Sequence, residues 1–414
     1  MILVNDKPVM IEELINVNEQ ADQTGQTNVL SSERAATVLQ VLPALGSSGG
    51  VERGTVEIAE AIVEAGGRAI VASAGGGRVH ELVRVRAEHV ILPLGSKNPI
   101  VMYNNIQRLA NLIRTRKVDL IHARSRAPAW SAYFAAKHCD RPFVTTFHGA
   151  YNASNFLKRR YNAIMSQGER VIAISAFIAS HMRRIYGVPV NRIKIIPRGV
   201  DLYRFNSAQI SAERVISMAH KWRLEDGIPV IMLPGRLTRW KGHRVFIDAI
   251  ARLGRRDLHC LIVGGDQGRT EYRRELDSLV EKYDLGEVVR IVDHCDDMPA
   301  AYMLSDVVVS ASTDPEAFGR VIIEAQALGR PVVATEHGGA METVVEGGTG
   351  WMVPPGEAEP MAEVLTTILA MDEEKRAELS SAAIANVRKH FSKQAMCEKT
   401  LDVYNEVLHE WGRA

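Results

Sequence analysis

The stretch Ser312-Thr-Asp-Pro-Glu316-Ala-Phe-Gly319-Arg-Val-Ile-Ile-Glu324-Ala325, preceded by Asp306-Val-Val-Val-Ser-Ala311, decides how this chain is read. The apolar run predicts a buried strand, and Gly319 to Leu328 carries helical spacing that Gly329 stops. A strand tip therefore faces a helix start. N–H groups around Phe318, Gly319 and Arg320 would point outward at the positive end of that helix, where an anionic phosphate is favoured, and Gly319 lets a ligand approach the backbone. Glu316 and Glu324 would repel phosphate, so they read as acceptors for sugar or ribose hydroxyls. A capped helix with acidic first turns would explain the same residues at about 0.3–1 kcal/mol per charge. The stretch alone leaves both readings open.

Working outward, the 414 residues predict two or three domains, and 46% hydrophobic with 24% charged residues describes a globular chain with ample core. No apolar run approaches the roughly 20 residues of a membrane span, and the start lacks a basic, apolar, small-residue signal, so a cytoplasmic location is expected. Cys139, Cys260, Cys295 and Cys397 are scattered without metal spacing and read as buried thiols. Asp266, Asp296 and Asp297 read as helix N-caps rather than as a cluster, and no metal is expected.

Between residues 36 and 370, β-branched runs alternate with helical patterns, the mark of βαβ units. A first series has runs beginning at Ala36, Arg68, Val118, Phe143, Val171 and Ile193; a second has runs beginning at Val230, Leu258, Val288, Val307 and Pro331. The pattern predicts an α/β protein of two doubly wound Rossmann-like domains facing across a cleft. Residues 1–35 read as a flexible leader, 36–204 as an acceptor-side domain and 205–228 as a hinge. Residues 229–390 then form the donor domain and 391–414 a terminal helix.

Open α/β sheets bind ligands at the carboxyl ends of their strands. The residues that follow the strands here are Gly49 and Gly50, Arg124-Ser-Arg126, His148-Gly149, Ser175 and Arg198-Gly199 in the first series. In the second they include Gly235-Arg236, Gly264-Gly265-Asp266, His294-Cys-Asp296, Asp314 with Glu316, and His337-Gly-Gly339. So many glycines, charges and histidines on one edge argue for a single ligand site. Arg236 and Lys241, five apart in a glycine-flanked loop, suit a diphosphate, Arg as a fork and Lys as a point charge. His148 closes a strand and would project into the crevice. Gly49-Gly50 lacks the full spacing of a dinucleotide fingerprint, which argues against a nicotinamide cofactor.

Charge is uneven along the chain. Residues 141–204 hold eleven Lys or Arg against two acids, Glu169 and Asp201. Lys158, Arg159 and Arg160 interleave with Phe156, Leu157, Tyr161, Ile164 and Met165 at helical spacing, as in an interfacial helix facing an anionic acceptor or membrane surface. A solvated basic face is the plainer alternative.

Five motifs in order carry a resemblance: Pro234-Gly-Arg-Leu with Lys241-Gly, Glu316-x7-Glu324, Gly329-Arg-Pro-Val-Val-Ala, Gly338-Gly-x-x-Glu342 and Gly347-x-x-Gly350-Trp-Met-Val-Pro. Together they resemble the donor domain of a glycosyltransferase family 4 enzyme with the GT-B fold, over roughly residues 36 to 405. The resemblance implies that Arg236 and Lys241 hold the donor diphosphate and that Glu316 reads sugar hydroxyls. Backbone groups near Ala317, Phe318 and Gly319 would bind phosphate or sugar, and Glu324 the ribose. Gly235 and His294 join this donor set, Gly49 and Gly50 form a loop near the reacting phosphate, and His148 sits by the transferred sugar or acceptor. Catalysis falls to His148, Glu316, Arg236 and Lys241, with Arg124, Arg126, Ser175 and Arg198 on the acceptor side. Arg198 departs from the family, which often has Asn before this Gly. The helix from Lys393 to Trp411 would cross back onto the first domain.

The implied reaction moves a hexose-type sugar from a UDP- or GDP-sugar to a hydroxyl of a glycan or glycolipid, with retention and without metal or cofactor. Cell-envelope polysaccharide, lipopolysaccharide or glycolipid synthesis is the expected setting, with contact at an anionic membrane surface and none with nucleic acid. The rivals are a sugar-nucleotide epimerase or phosphorylase of the same fold and a non-catalytic anion- or RNA-binding protein. The last would be expected to lose Glu316 or Lys241, and both are present.

Overall fold

The computed structural model describes residues 35–47 and 49–412. The leader expected over residues 1–35 lies outside the described residues except for its last position. The described residues form two compact units, one ending at residue 197 and resuming at 394, the other residues 198–393.

The first unit is built on seven parallel strands: β1 (Thr37–Val41), β2 (Arg68–Ser73), β3 (Glu88–Ile91), β4 (Leu120–Ala123), β5 (Phe143–Phe147), β6 (Arg170–Ala173) and β7 (Ile193–Ile195), in the order β3-β2-β1-β4-β5-β6-β7. The inner strands β1, β4 and β5 are buried at every position, and their apolar residues are interrupted only by polar ones that are buried too, Thr37, Gln40, His122, Thr145 and Thr146. The edge strand β3 is half exposed, Glu88-His-Val-Ile, and its composition gave no such signal.

The second unit repeats the plan with six parallel strands: β8 (Val230–Pro234), β9 (His259–Val263), β10 (Val289–Val292), β11 (Val307–Ser310), β12 (Val332–Thr335) and β13 (Trp351–Val353), ordered β10-β9-β8-β11-β12-β13. The three-residue edge strand β13 was also missing from the expected set. In each sheet the order reverses once, between β1 and β4 and between β8 and β11. Such reversals are where the loops part and a ligand enters.

The seam differs from the hinge expected over 205–228. That segment belongs to the second unit, where the helix Ala212–Trp222 forms. Arg214 pairs with Asp297 at 2.7 Å, Phe205 packs on Tyr302, and Arg290 donates to the carbonyl of Trp222 at 2.6 Å. Its polar composition reflects the exposed side of an amphipathic helix. Arg198 to Arg204 also falls in this unit, because Val200 bridges to Ser392.

The terminal helix Lys393–Glu410 is part of the first unit's core. Met396, Leu401, Tyr404 and Val407 are buried with Val38, Leu120 and Val144. Arg170 and Lys194 each hold Glu406 at 2.8 Å. All four cysteines are free thiols, three of them buried, and burial pushes the Cys260 thiol far up. No helix among the described residues is long and apolar enough to cross a membrane.

Candidate functional site

The reversal between β8 and β11 brings together two loops that lie 75 positions apart in sequence. The loop after β8 carries Arg236 and Lys241, and the loop after β11 carries Ser312 and Glu316. Thr313 donates its N–H to the carbonyl of Trp240 at 2.7 Å, lacing the loops. Gly242 sits at φ 71, and a Cβ there would lie 1.7 Å from the carbonyl oxygen of Ala311, so only glycine permits this approach.

Lys241 Nζ then meets Glu316 Oε1 at 2.7 Å, with side chains only 13% and 12% exposed. The ammonium also lies 4.6 Å from the centre of the Trp240 ring. Ser312 Oγ and Ser310 Oγ donate to the same Oε1 at 2.5 and 3.2 Å. Burial alone would raise the Glu316 carboxyl. The neighbouring Lys241 charge, then the hydrogen bonds from Lys241, Ser312 and Ser310, outweigh it and hold the group below the ordinary carboxylate value.

A third loop backs this arrangement. The carbonyl of Ser312 accepts from Thr335 Oγ1 and from His337 Nε2, each at 2.8 Å, so Nε2 carries the proton. Gly338, at φ 65, would place a Cβ 2.4 Å from the Glu316 carbonyl oxygen, and Gly339 donates its N–H to that oxygen at 2.8 Å. The Gly-Gly pair is therefore a packing requirement of the Glu316 loop.

The helix opened by Gly319 runs Arg320–Ala327, with Gly319 at φ 85 in the N-cap position and no side chain capping it. The N–H groups of Phe318 and Gly319 donate to nothing among the described residues. The Phe318 side chain is buried against Phe391. Glu324 lies on the buried face of this helix, where Arg320 Nε approaches Oε1 at 3.2 Å and the Tyr302 hydroxyl donates to Oε2 at 3.2 Å. Arg236 is exposed and makes no ion pair among the described residues. Gly235 abuts the Lys241 side chain, and Gly264 fits against Gly235 so tightly that a Cβ would lie 2.0 Å from its carbonyl oxygen. His294 stands exposed after β10, 3.0 Å from Asp296.

In the first unit the expected residues divide. Gly49, with an extended backbone, opens the helix Gly50–Glu64 without a side-chain cap. His148 follows β5 and is half-buried. Arg126 lies 4.3 Å over the Tyr151 ring and donates to Asn162 Oδ1 at 3.0 Å. Arg124 is 2% exposed, inside the unit rather than at its surface, where it donates to Gln40 Oε1 at 3.3 Å. Burial lowers its pKa, opposed by Tyr404, Glu57 and Cys397. Ser175 is buried and caps the helix Ala176–Tyr186 through the Ile178 N–H at 3.1 Å. Arg198 is buried in the second unit, and its neighbour Gly199 would place a Cβ 2.5 Å from Lys393 Cα.

The interfacial stripe needs correction. Ile164 and Met165 are in the core, because the helix Phe156–Asn162 ends before them in a tight 3₁₀ turn. What faces solvent is Phe156 and Leu157, 72% and 75% exposed, beside Lys158, Arg159 and Arg160, none of which forms an ion pair among the described residues.

Sequence reading also passed over His243, fully buried at the start of the helix His243–Leu253, with Nδ1 3.5 Å from the Tyr272 hydroxyl. Burial first and the Lys241 charge second lower its pKa to about 4. The folded state keeps His243 neutral while the unfolded chain protonates near 6.5, so stability is full above that pH and is lost as pH falls toward 4. Between pH 7.5 and 5 the loss from this residue is about 2 kcal/mol. Urea midpoints at the two pH values should show it, and His243→Asn should flatten the slope; an unchanged slope refutes the assignment.

Comparison with known proteins follows the same division. The family model described as Glycosyltransferase Family 4 matches residues 48–204, and that described as Glycosyl transferases group 1 matches residues 217–386. The D-inositol 3-phosphate glycosyltransferase of Xylanimonas cellulosilytica is 30% identical over 304 residues, 69% of this chain and 71% of that protein. The chain is a family 4 glycosyltransferase. Among solved structures, a glycosyltransferase from Rickettsia africae is 38% identical, superposing with a TM-score of 0.84 over 90% of this glycosyltransferase and 99% of its own chain. Anabaena HepE, solved in complex with UDP and glucose, is 25% identical, with a TM-score of 0.78 over 90% of this chain and 100% of its own. The two doubly wound units are the GT-B architecture shared with these enzymes.

Proposed function

We propose that this glycosyltransferase takes a hexose from a nucleoside diphosphate sugar, with the diphosphate held by Lys241, Arg236 and the N–H groups of Phe318 and Gly319. The observation that carries this reading is the nearly buried Lys241 ammonium held at Glu316, on the same two loops that carry the unpaired Arg236 and lead into the uncapped helix start at Gly319. Two cations and two backbone donors match the charge and lone pairs of a leaving diphosphate. HepE, with UDP in its complexes, supports a uridine donor. Glu324, already oriented by Tyr302 and Arg320, is assigned to the ribose hydroxyls.

Transfer is assigned to a retaining, front-face route in which the departing phosphate helps take the acceptor proton. Glu316 is assigned to the sugar hydroxyls and Glu324 to the ribose, so neither is given the part of a covalent nucleophile. His148 is assigned a role toward the transferred sugar or the acceptor. Lys241 and Arg236 supply the charge for the leaving group, so no divalent ion is called on. UDP should stabilise the protein by about 2.7 kcal/mol at one hundred times its dissociation constant, unchanged by EDTA. A thermal shift abolished by EDTA overturns metal-independent binding. No shift with any nucleoside diphosphate overturns the donor assignment.

The acceptor is assigned to the anionic envelope glycans and glycolipids, on the strength of the unpaired cations of residues 158–160 and the phosphorylated substrate named for the D-inositol 3-phosphate relatives. Phe156 and Leu157 would enter the headgroup layer beside those cations. Each Lys or Arg near an anionic surface contributes about 1 kcal/mol, so replacing all three by Gln should weaken sedimentation with phosphatidylglycerol vesicles roughly a hundredfold. Equal sedimentation would mean a solvated face and a soluble acceptor.

A further inference from the structure

The two oxygens of Glu316 are treated differently. Oε1 receives Lys241 Nζ at 2.7 Å, Ser312 Oγ at 2.5 Å and Ser310 Oγ at 3.2 Å. Oε2 receives no donor among the described residues, although the side chain is 12% exposed. Lys241 alone would satisfy the charge of a carboxylate. Two further hydroxyls on the same oxygen fix the plane of the group, and they come from firm supports. Ser310 ends β11, and Ser312 is held through its own carbonyl by Thr335 and His337.

We propose that Ser310 and Ser312 are positioning residues that saturate Oε1 of Glu316 and aim Oε2 at one hydroxyl of the donor's hexose, making that hydroxyl a requirement for turnover. The inference rests on the nucleoside diphosphate sugar reading above and adds a determinant of sugar choice. An ionised carboxylate only accepts hydrogen bonds, so the bound sugar must offer a donor to Oε2. A deoxy analogue would leave a desolvated charged oxygen unpaired, and sites built this way reject such analogues by roughly 10⁴ or more. The same donors keep the carboxyl ionised, so the aim holds across neutral pH.

The test first finds which of UDP-glucose, UDP-galactose, UDP-N-acetylglucosamine and GDP-mannose the wild-type enzyme turns over, then compares that donor with its monodeoxy analogues. Wild type should discriminate against one analogue by at least a thousandfold in kcat/KM. Ser312→Ala should lower kcat/KM for the parent at least tenfold and barely change that analogue, compressing the ratio while the UDP dissociation constant stays within about twofold. Ser310→Ala should act in the same direction more weakly, and Ser312→Thr, which keeps the hydroxyl, should restore the ratio. Loss of the Ser312 donor should also move the acid limb of the kcat/KM profile to higher pH. A merely structural role would lower both substrates alike and leave that limb in place. Monodeoxy analogues all used like the parent, or an unchanged ratio in both alanine variants, overturn the proposal and leave the donor reading intact. A wild-type enzyme that turns over none of the four donors and binds neither UDP nor GDP overturns both.

Discussion

Glu316→Gln is expected to reduce sugar transfer by about a hundredfold while making the unliganded protein less stable and the stabilisation by UDP larger. Hydrogen bonds to a charged group contribute about 1.5–3 kcal/mol each, so removing the charge at Oε2 alone accounts for between tenfold and a hundredfold. The amide also abandons Lys241, whose side chain is 13% exposed. Breaking a buried pair by deleting one partner costs about 3–5 kcal/mol at full burial, and somewhat less here. A diphosphate supplies the missing negative charge, so part of that loss returns on binding UDP. Melting curves with and without UDP, alongside initial rates, separate the effects. An unchanged apo melting temperature with UDP binding abolished would show that Glu316 serves the nucleotide end of the donor.

The expectation from sequence treated the sugar end and the phosphate end as independent, Glu316 on one and Lys241 on the other. The structure couples them through one ion pair. Each motif was legible because glycine and charge at a strand's carboxyl end are unusual whatever the strand order. The pairing was not legible, because it depends on β11 lying beside β8 rather than beside β10, which no local pattern encodes. Ser310, Ser312 and His337 stand at or just after the ends of strands whose loops carry the motifs, yet a side chain's role is set by what it reaches. Where residues face two environments, the sequence misled. The hinge expected over 205–228 was half a helix's solvent side, and the basic stripe ended at Tyr161 because the chain turns inward at Ala163. The edge strands β3 and β13 escaped because Glu88-His-Val-Ile opens on two polar residues and Trp351-Met-Val, though apolar, is too short for a run or an alternation to register.

Lys241→Met tests the same coupling from the other side. Removing the ammonium should weaken UDP by about tenfold to a hundredfold, the range for one charge-assisted contact to a diphosphate. It also leaves the Glu316 carboxylate in a nearly dry site with only Ser310 and Ser312 to oppose burial, so its pKa should rise. In the wild type that pKa is depressed, so the pair's stabilisation is present above the unfolded carboxylate value of 4.5 and is lost as pH falls through the lower folded value. The stability gap between wild type and Lys241→Met should therefore be widest near neutral pH and close below pH 4.5. In the double variant Lys241→Met with Glu316→Gln, neither charge remains to be stranded. Its stability loss should fall short of the sum of the single losses by about 0.5–3 kcal/mol, the coupling typical of side chains in contact. Strict additivity across this cycle would mean that the 2.7 Å contact carries no energy in solution, and that Lys241 and Glu316 serve the donor separately.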